Sequence, residues 1–214
     1  FFRFHPLVSK ERDEYKQLLA KAKQFAKDRI VVRGTVVTEE LYDFILFMTH
    51  SFVRPTESEV YALTHRDITI SENPKSLLIT IRKGKTGHRL SHSMPDAVGV
   101  FQRIQKRYPD HALDDHLFFP QYKNRAHAKR IIQRQFNALL EACGLKTDRH
   151  SPNQHTVYSL RHTAICMRLV LSKGQVNIFT LAKNAGTSVD QIERFYARNL
   201  PLSAEMTKNL QSFG

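Results

Sequence analysis

The chain has 214 residues, 41% of them apolar and 25% charged, which is enough for one sizeable domain and excludes a disordered chain. Its 33 Lys and Arg against 20 Asp and Glu leave a formal charge of +13, a balance that favours a polyanionic partner, nucleic acid first. No apolar run approaches the ~20 residues needed to span a bilayer, and no basic helix has a clean apolar face with aromatic anchors.

Two cysteines, Cys143 and Cys166, show neither metal spacing nor a disulfide framework, which suits a reducing cytosol. The sequence opens on Phe1-Phe2-Arg3 rather than on methionine or a signal-peptide pattern, so a fragment or processed piece is expected. It contains no internal repeat, low-complexity tract or Gly/Ser linker.

Taken in chain order, residues 9–28 form an amphipathic pattern with Leu18, Leu19, Ala22 and Phe25 on one side. Thr38-Glu39-Glu40 offers a capping hydroxyl and two acids, predicting a helix over 39–50. Pro55 then predicts entry to a helix over 56–64. The runs Asp67 to Ile70 and Leu77 to Ile81 are β-branched and separated by a turn, so they read as strands. A glycine-bounded turn, Lys83-Gly84-Lys85-Thr86-Gly87, leads to a short strand near 88–93. Everything afterwards reads as helix, over 96–107, 126–143, 157–172, 176–184 and 189–196. The expected fold is therefore α+β, mainly α-helical, with a small three-stranded antiparallel sheet.

Breaking a phosphodiester without metal or water needs an oxygen nucleophile, cations for the phosphoryl oxygens, a proton acceptor, and a donor for the leaving sugar oxygen. Arginine suits the phosphate because its planar fork is permanently charged; Arg54 and Arg161 are the candidates, the first placed at a helix start. A lysine on a hairpin turn, Lys85, suits the leaving-group proton, since its pKa falls on desolvation. Tyr196 suits the nucleophile, because a phosphotyrosyl ester conserves the energy of the broken bond. Ser188-Val189-Asp190-Gln191 gives its helix a defined, capped start.

These residues occur in Tyr158-Ser159-Leu160-Arg161-His162-Thr163, in Gly186-Thr187-Ser188 and in Ile192-Glu193-Arg194-Phe195-Tyr196. Together with Arg54 and Lys85, the layout resembles the catalytic domain of the tyrosine recombinases, the phage-integrase family. The resemblance covers residues 36–198. It implies that Arg54 and Arg161 clamp the scissile phosphate, that Lys85 protonates the 5′ oxygen, and that Tyr196 forms a 3′-phosphotyrosyl link with no cofactor. It also implies double-stranded DNA as partner, four protomers on two DNA sites from a monomer when free, and a cytoplasmic, nucleoid-associated setting in a bacterium or phage. Residues 1–35 would be a lead-in helix or the end of an upstream linker. Residues 199–214 would be a C-terminal tail, whose Leu200, Leu202, Met206 and Leu210 give it an apolar side.

The chain departs from the family pattern in three places. Leu63 and Asp67-Ile68 lie two residues further from Arg54 than the pattern has them. Tyr158 stands where a histidine or lysine is usual, and Thr187 where histidine or tryptophan is usual, nine residues before Tyr196. Both keep a hydroxyl for a phosphate oxygen, and neither is a base near pH 7, which leaves His155 and His162 as nearby candidates.

Basic residues flank this set. Arg82, Lys83, His88 and Arg89 surround the hairpin, while Lys129, Arg130 and Arg134, with Lys123, Arg125 and His127, lie on or before one helix. With His162 these are the candidate DNA contacts, of the kind that positions a duplex without reading its sequence. Competing readings are a non-catalytic DNA-binding domain of the same fold and a type IB topoisomerase. A metal-dependent nuclease lacks clustered carboxylates at ligand spacing.

Overall fold

In a computed structural model of the protein, residues 9–147, 153–172, 175–194 and 211 are described. Leu18 and Ala22, one turn apart on α1 (Ser9–Lys27), are fully buried. This stripe seats α1 against α2 (Glu39–Ser51) and α4 (Arg125–Ala142), so α1 shares the core of the elements that follow it. Helix α2 is the axis of the fold. Ten of its thirteen residues are buried, because α1, α3 (Asp96–Arg107) and α5 (Val157–Leu171) all pack around it. Thr38 begins α2 in extended backbone, but its hydroxyl makes no capping hydrogen bond, contrary to the sequence expectation.

Burying α2 encloses two acids. Asp43 accepts from Arg103 Nε at 2.8 Å and Arg107 Nη2 at 2.5 Å, so its charge is compensated. Glu40 accepts the Phe119 N–H and the Tyr108 hydroxyl. Burial nevertheless pushes its carboxyl up to about 7.

Strands β1 (Val31–Val32) and β2 (Thr35–Val36) form a hairpin that the sequence reading missed. Its signal is Arg33-Gly34, with φ of 47° and 81°, the two left-handed residues of a tight hairpin turn. The three-stranded antiparallel sheet has the expected form, β3 (Ile68–Glu72), β4 (Lys75–Gly84) and β5 (Gly87–His92) in that order. Leu77, Ile79 and Ile81 alternate into the core. Opposite them, Ser91 pairs with Ile79 and Arg89 with Ile81.

The expected helix over 56–64 is absent. The segment has a single 3-10 turn, Val60–Ala62, followed by another at His65–Asp67. Glu59 is the reason: its backbone is non-helical (φ −115°, ψ −103°) and its carboxylate turns back to take the Arg54 backbone N–H at 3.0 Å. The chain coils around that carboxylate rather than around a helix axis. Of the later helices, α6 at Ile178–Ala185 lies close to the expected 176–184, and α7 begins at Val189 as expected but ends at Ile192, with residues 195–196 of the expected helix outside the described residues. A second, smaller core joins α5, α6 and α7 through Ala164, Ile165, Cys166, Leu181, Ala185 and Ile192, with Phe52 inserted from the end of α2.

Candidate active site

Phe52 ends α2 in the left-handed region (φ 60°), a conformation that a bulky residue rarely adopts. Its carbonyl accepts a hydrogen bond from Arg161 Nη1. Arg161 lies on the second turn of α5 with 1% of its surface exposed, and its Nη2 donates to the Ala185 carbonyl at 2.6 Å. Ala185 is the last residue of α6, where helix carbonyls lack internal partners and the dipole is negative.

Arg54 reaches the same place from the other side. It is 7% exposed; Nη1 donates to Glu59 Oε1 at 2.6 Å, and Nη2 donates to the Gly186 carbonyl. The two arginines therefore sit on consecutive carbonyls at one helix end, although they are remote in sequence. Arg54 does not stand at a helix start as the sequence suggested, because no helix follows it, and its own N–H is spent on Glu59.

Glu59 is the centre of the cluster and was not anticipated. Fully buried, it also accepts from Arg89 Nη1 at 3.0 Å and Nη2 at 2.7 Å. Burial alone would raise its carboxyl, but the hydrogen bonds from Arg89 and from Arg54 outweigh that and hold it near 2. Arg54, Arg89 and Arg161 against the single carboxylate of Glu59 leave an excess of two positive charges (3 − 1) among these four side chains. An anion at the Gly186–Thr187 turn would complete that balance.

The turn is tightly held. Gly186 caps α6 at φ 62°, and Thr187 N–H donates to Ala182 O at 2.9 Å. Thr187 is half-buried. Ser188 Oγ accepts the Gln191 N–H at 3.2 Å, so α7 has the expected cap, and Ile192 anchors it in the second core. A Cβ added at Gly186 would lie 2.6 Å from Arg89 Nε and 2.8 Å from Cζ. Gly186→Ala should therefore lower the melting temperature, through a left-handed φ and a clash with a buried guanidinium, at a cost above about 1 kcal/mol; an unchanged transition in thermal denaturation would contradict this packing.

The hairpin comes to the same cluster. Gly84 pairs with Gly87 across the turn, and a Cβ at Gly84 would lie 2.7 Å from Arg89 Nη1 and 3.1 Å from Glu59 Oε1. Lys85, the next residue on the turn, is exposed. Tyr158, on the first turn of α5, is 39% exposed with its ring 5.6 Å from that of His162. Tyr196 lies outside the described residues.

The basic residues divide. Lys83, His88, Arg130 and Arg134 are exposed. Arg82 is half-exposed while bound to Asp67 at 2.7 Å, and Lys129 pairs with Glu57 at 3.1 Å. Arg125 donates to the carbonyls of Tyr61, Phe118, Phe119 and Tyr122 and is a structural strut. Of Arg89 and His162, expected among the DNA contacts, His162 is buried because its stretch of α5 packs inside the domain, and Arg89 is largely enclosed, its side chain 9% exposed, because β5 turns it inward to Glu59. His155 is also buried, its N–H bonded to the Lys146 carbonyl. Among the described residues no group of three or more His, Cys, Asp or Glu is placed to hold a metal ion, and no helix is long and apolar enough to cross a membrane.

Compared with solved structures, the fold is similar to that of XerA recombinase (TM-score 0.57, 19% identity, 92% of this chain and 62% of that one). It is also similar to the Tn1549 transposon integrase in complex with circular-intermediate DNA (0.56, 15%, 100% and 66%). The same integrase with transposon right-end DNA matches at 0.56, with 17% identity over 96% and 64%. The chain has the tyrosine-recombinase fold. It spans less than two thirds of the length of these recombinases, and no family model or curated protein matches its sequence. In this fold Lys85 lies on the β4–β5 turn, Arg54 follows the end of α2, and Arg161 comes from α5.

Proposed function

We propose that the chain is the catalytic domain of a site-specific DNA recombinase or integrase that breaks and rejoins DNA through a 3′-phosphotyrosyl intermediate. The observation that carries this reading is the meeting of Arg54 and Arg161 on the Ala185 and Gly186 carbonyls, beside the hairpin of Lys85 and the turn that leads into α7.

In the proposed reaction the Tyr196 hydroxyl oxygen attacks the scissile phosphorus and its proton passes to a nearby base. The bond from phosphorus to the 5′ oxygen breaks, and Lys85 gives that oxygen a proton. Arg54 and Arg161 leave their carbonyl acceptors for the non-bridging oxygens, where charge grows in the transition state. Tyr158 and Thr187 add hydroxyl hydrogen bonds to the same phosphate. Rejoining is the reverse, with a 5′ hydroxyl as nucleophile, so no external energy source enters. The exposed Lys83, His88, Arg130 and Arg134, with Arg82 and Lys129, would contact the duplex backbone. Assembly would be four protomers on two sites.

The Tn1549 integrase structures contain DNA, which supports duplex DNA as the partner. A second reading, a non-catalytic DNA-binding domain of the same fold, is favoured by Tyr158 and Thr187 in place of basic or aromatic residues. A duplex nicked beside the cleavage site separates the two. Accumulation of a protein–DNA adduct that survives EDTA is the expected result; tight binding with no adduct on cognate DNA would establish the second reading. Relaxation of supercoils without strand transfer between two sites would instead identify a type IB topoisomerase.

A further inference from the structure

We infer that Arg89 is a positioning residue, which sets Arg54 in place through Glu59 and locks the Lys85 hairpin to the Gly186 turn. The inference rests on the recombinase reading for its meaning in catalysis, and on geometry alone for the positioning itself.

Three observations carry it. First, the register of β5 places Arg89 opposite Ile81 on the core face, while its neighbour Leu90 is 52% exposed. An arginine side chain only 9% exposed beside an exposed leucine inverts the ordinary distribution of the two residues. Second, each carboxylate oxygen of Glu59 holds one donor from each arginine. Oε1 takes Arg54 Nη1 and Arg89 Nη1, at 2.6 and 3.0 Å. Oε2 takes the Arg54 backbone N–H and Arg89 Nη2, at 3.0 and 2.7 Å. The carboxylate cannot rotate toward or away from Arg54 without breaking the Arg89 fork. Third, the same guanidinium fills the space between two glycines. Added Cβ atoms would come within 2.7 Å of it at Gly84 and 2.6 Å at Gly186, so it lies against both the hairpin base and the α6 cap. Its buried Nε has no acceptor among the described residues. An unsatisfied buried donor is costly, and the side chain keeps this position in spite of that cost.

Arg89 is thus shared by the three segments that must hold fixed distances around a phosphate: the hairpin, the Arg54 loop and the Gly186–Thr187 turn. Loosening it lets Arg54 rotate and the hairpin slide, and misplacement of about 1 Å is enough to cost a reaction ~100-fold.

The test uses Arg89→Lys and Arg89→Gln in the full chain. Two quantities are followed: the guanidinium N–H resonances of Arg54 by NMR, assigned with Arg54→Lys, and single-turnover adduct formation on the nicked duplex alongside duplex affinity. Lysine keeps the charge but cannot bridge both Glu59 oxygens. The expected result is loss of the protected Arg54 resonances in both variants, with adduct formation down ~100-fold and affinity unchanged. Unaltered Arg54 resonances, or full recovery of rate by lysine, would reduce Arg89 to a counter-charge and overturn the inference. A parallel fall in affinity and rate would make it a DNA contact, and overturn it equally. If the native protein forms no adduct, the recombinase reading fails by itself, and the Arg54 resonances alone decide the positioning role.

Discussion

Glu59→Gln should cost the protein about 3–5 kcal/mol of stability, the usual penalty for removing one partner of a buried ion pair. The carboxylate is fully buried and receives four donors. Glutamine offers a single acceptor oxygen and turns its NH2 toward a guanidinium, which leaves Arg54 and Arg89 uncompensated. Total stability of a domain is about 5–15 kcal/mol, so chemical denaturation should show a large fall in midpoint. The same group gives a pH signature. Its carboxyl is held near 2 against an ordinary 4.5, so the folded pKa is depressed. Its contribution is present in full above the unfolded value and is lost as pH falls from about 4.5 through about 2. The variant should lack that part of the acid transition. A variant as stable as the native chain would show that Glu59 is not the centre of the cluster.

Arg161→Ala should act mainly on the chemical step. Removing a positioned donor from a developing oxyanion typically lowers the rate about 10²–10³-fold, and Arg161 shares the Ala185 and Gly186 carbonyls with Arg54. Duplex affinity should change little, because the residue is 1% exposed and its charge matters most as the transition state forms. The substitution also orphans the Phe52 and Ala185 carbonyls, at about 1–3 kcal/mol each. Rates are therefore to be compared at a temperature where circular dichroism shows the variant folded. Equal losses of affinity and rate would make Arg161 a binding residue only.

The helices and the sheet were legible because their signals are local. A β-branched run bounded by a turn marked β4, and apolar spacing marked α1, α3, α4 and α5. The arginine pair, Lys85 and Thr187 were legible as motifs, and the fold brings the two arginines to the carbonyls just before Thr187. Glu59 was not legible, because its neighbours Ser58 and Val60 read as ordinary helix sequence and only the return to the Arg54 N–H breaks that helix. Arg89 was visible as a basic residue on a hairpin, but its direction depends on the register. Once Ile81 is known to face the core, the residue opposite it must do so too. His162 follows the same lesson on a helix: a basic residue in a polar-looking block is buried when its face of the helix packs inward. The turn chemistry of Arg33-Gly34 was legible in principle and overlooked.

The central claim is that Tyr196 and the two arginines act on one phosphate. Trypsin cuts after Arg194 and Arg198, so a covalent complex on nicked DNA should yield the tetrapeptide Phe195-Tyr196-Ala197-Arg198 carrying the 3′ nucleotide on its single tyrosine. Mass spectrometry of that peptide is the most direct measurement. The predicted result is the nucleotide on Tyr196, with no adduct from Tyr196→Phe; a nucleotide on any other side chain, or an adduct that persists in the phenylalanine variant, would contradict it.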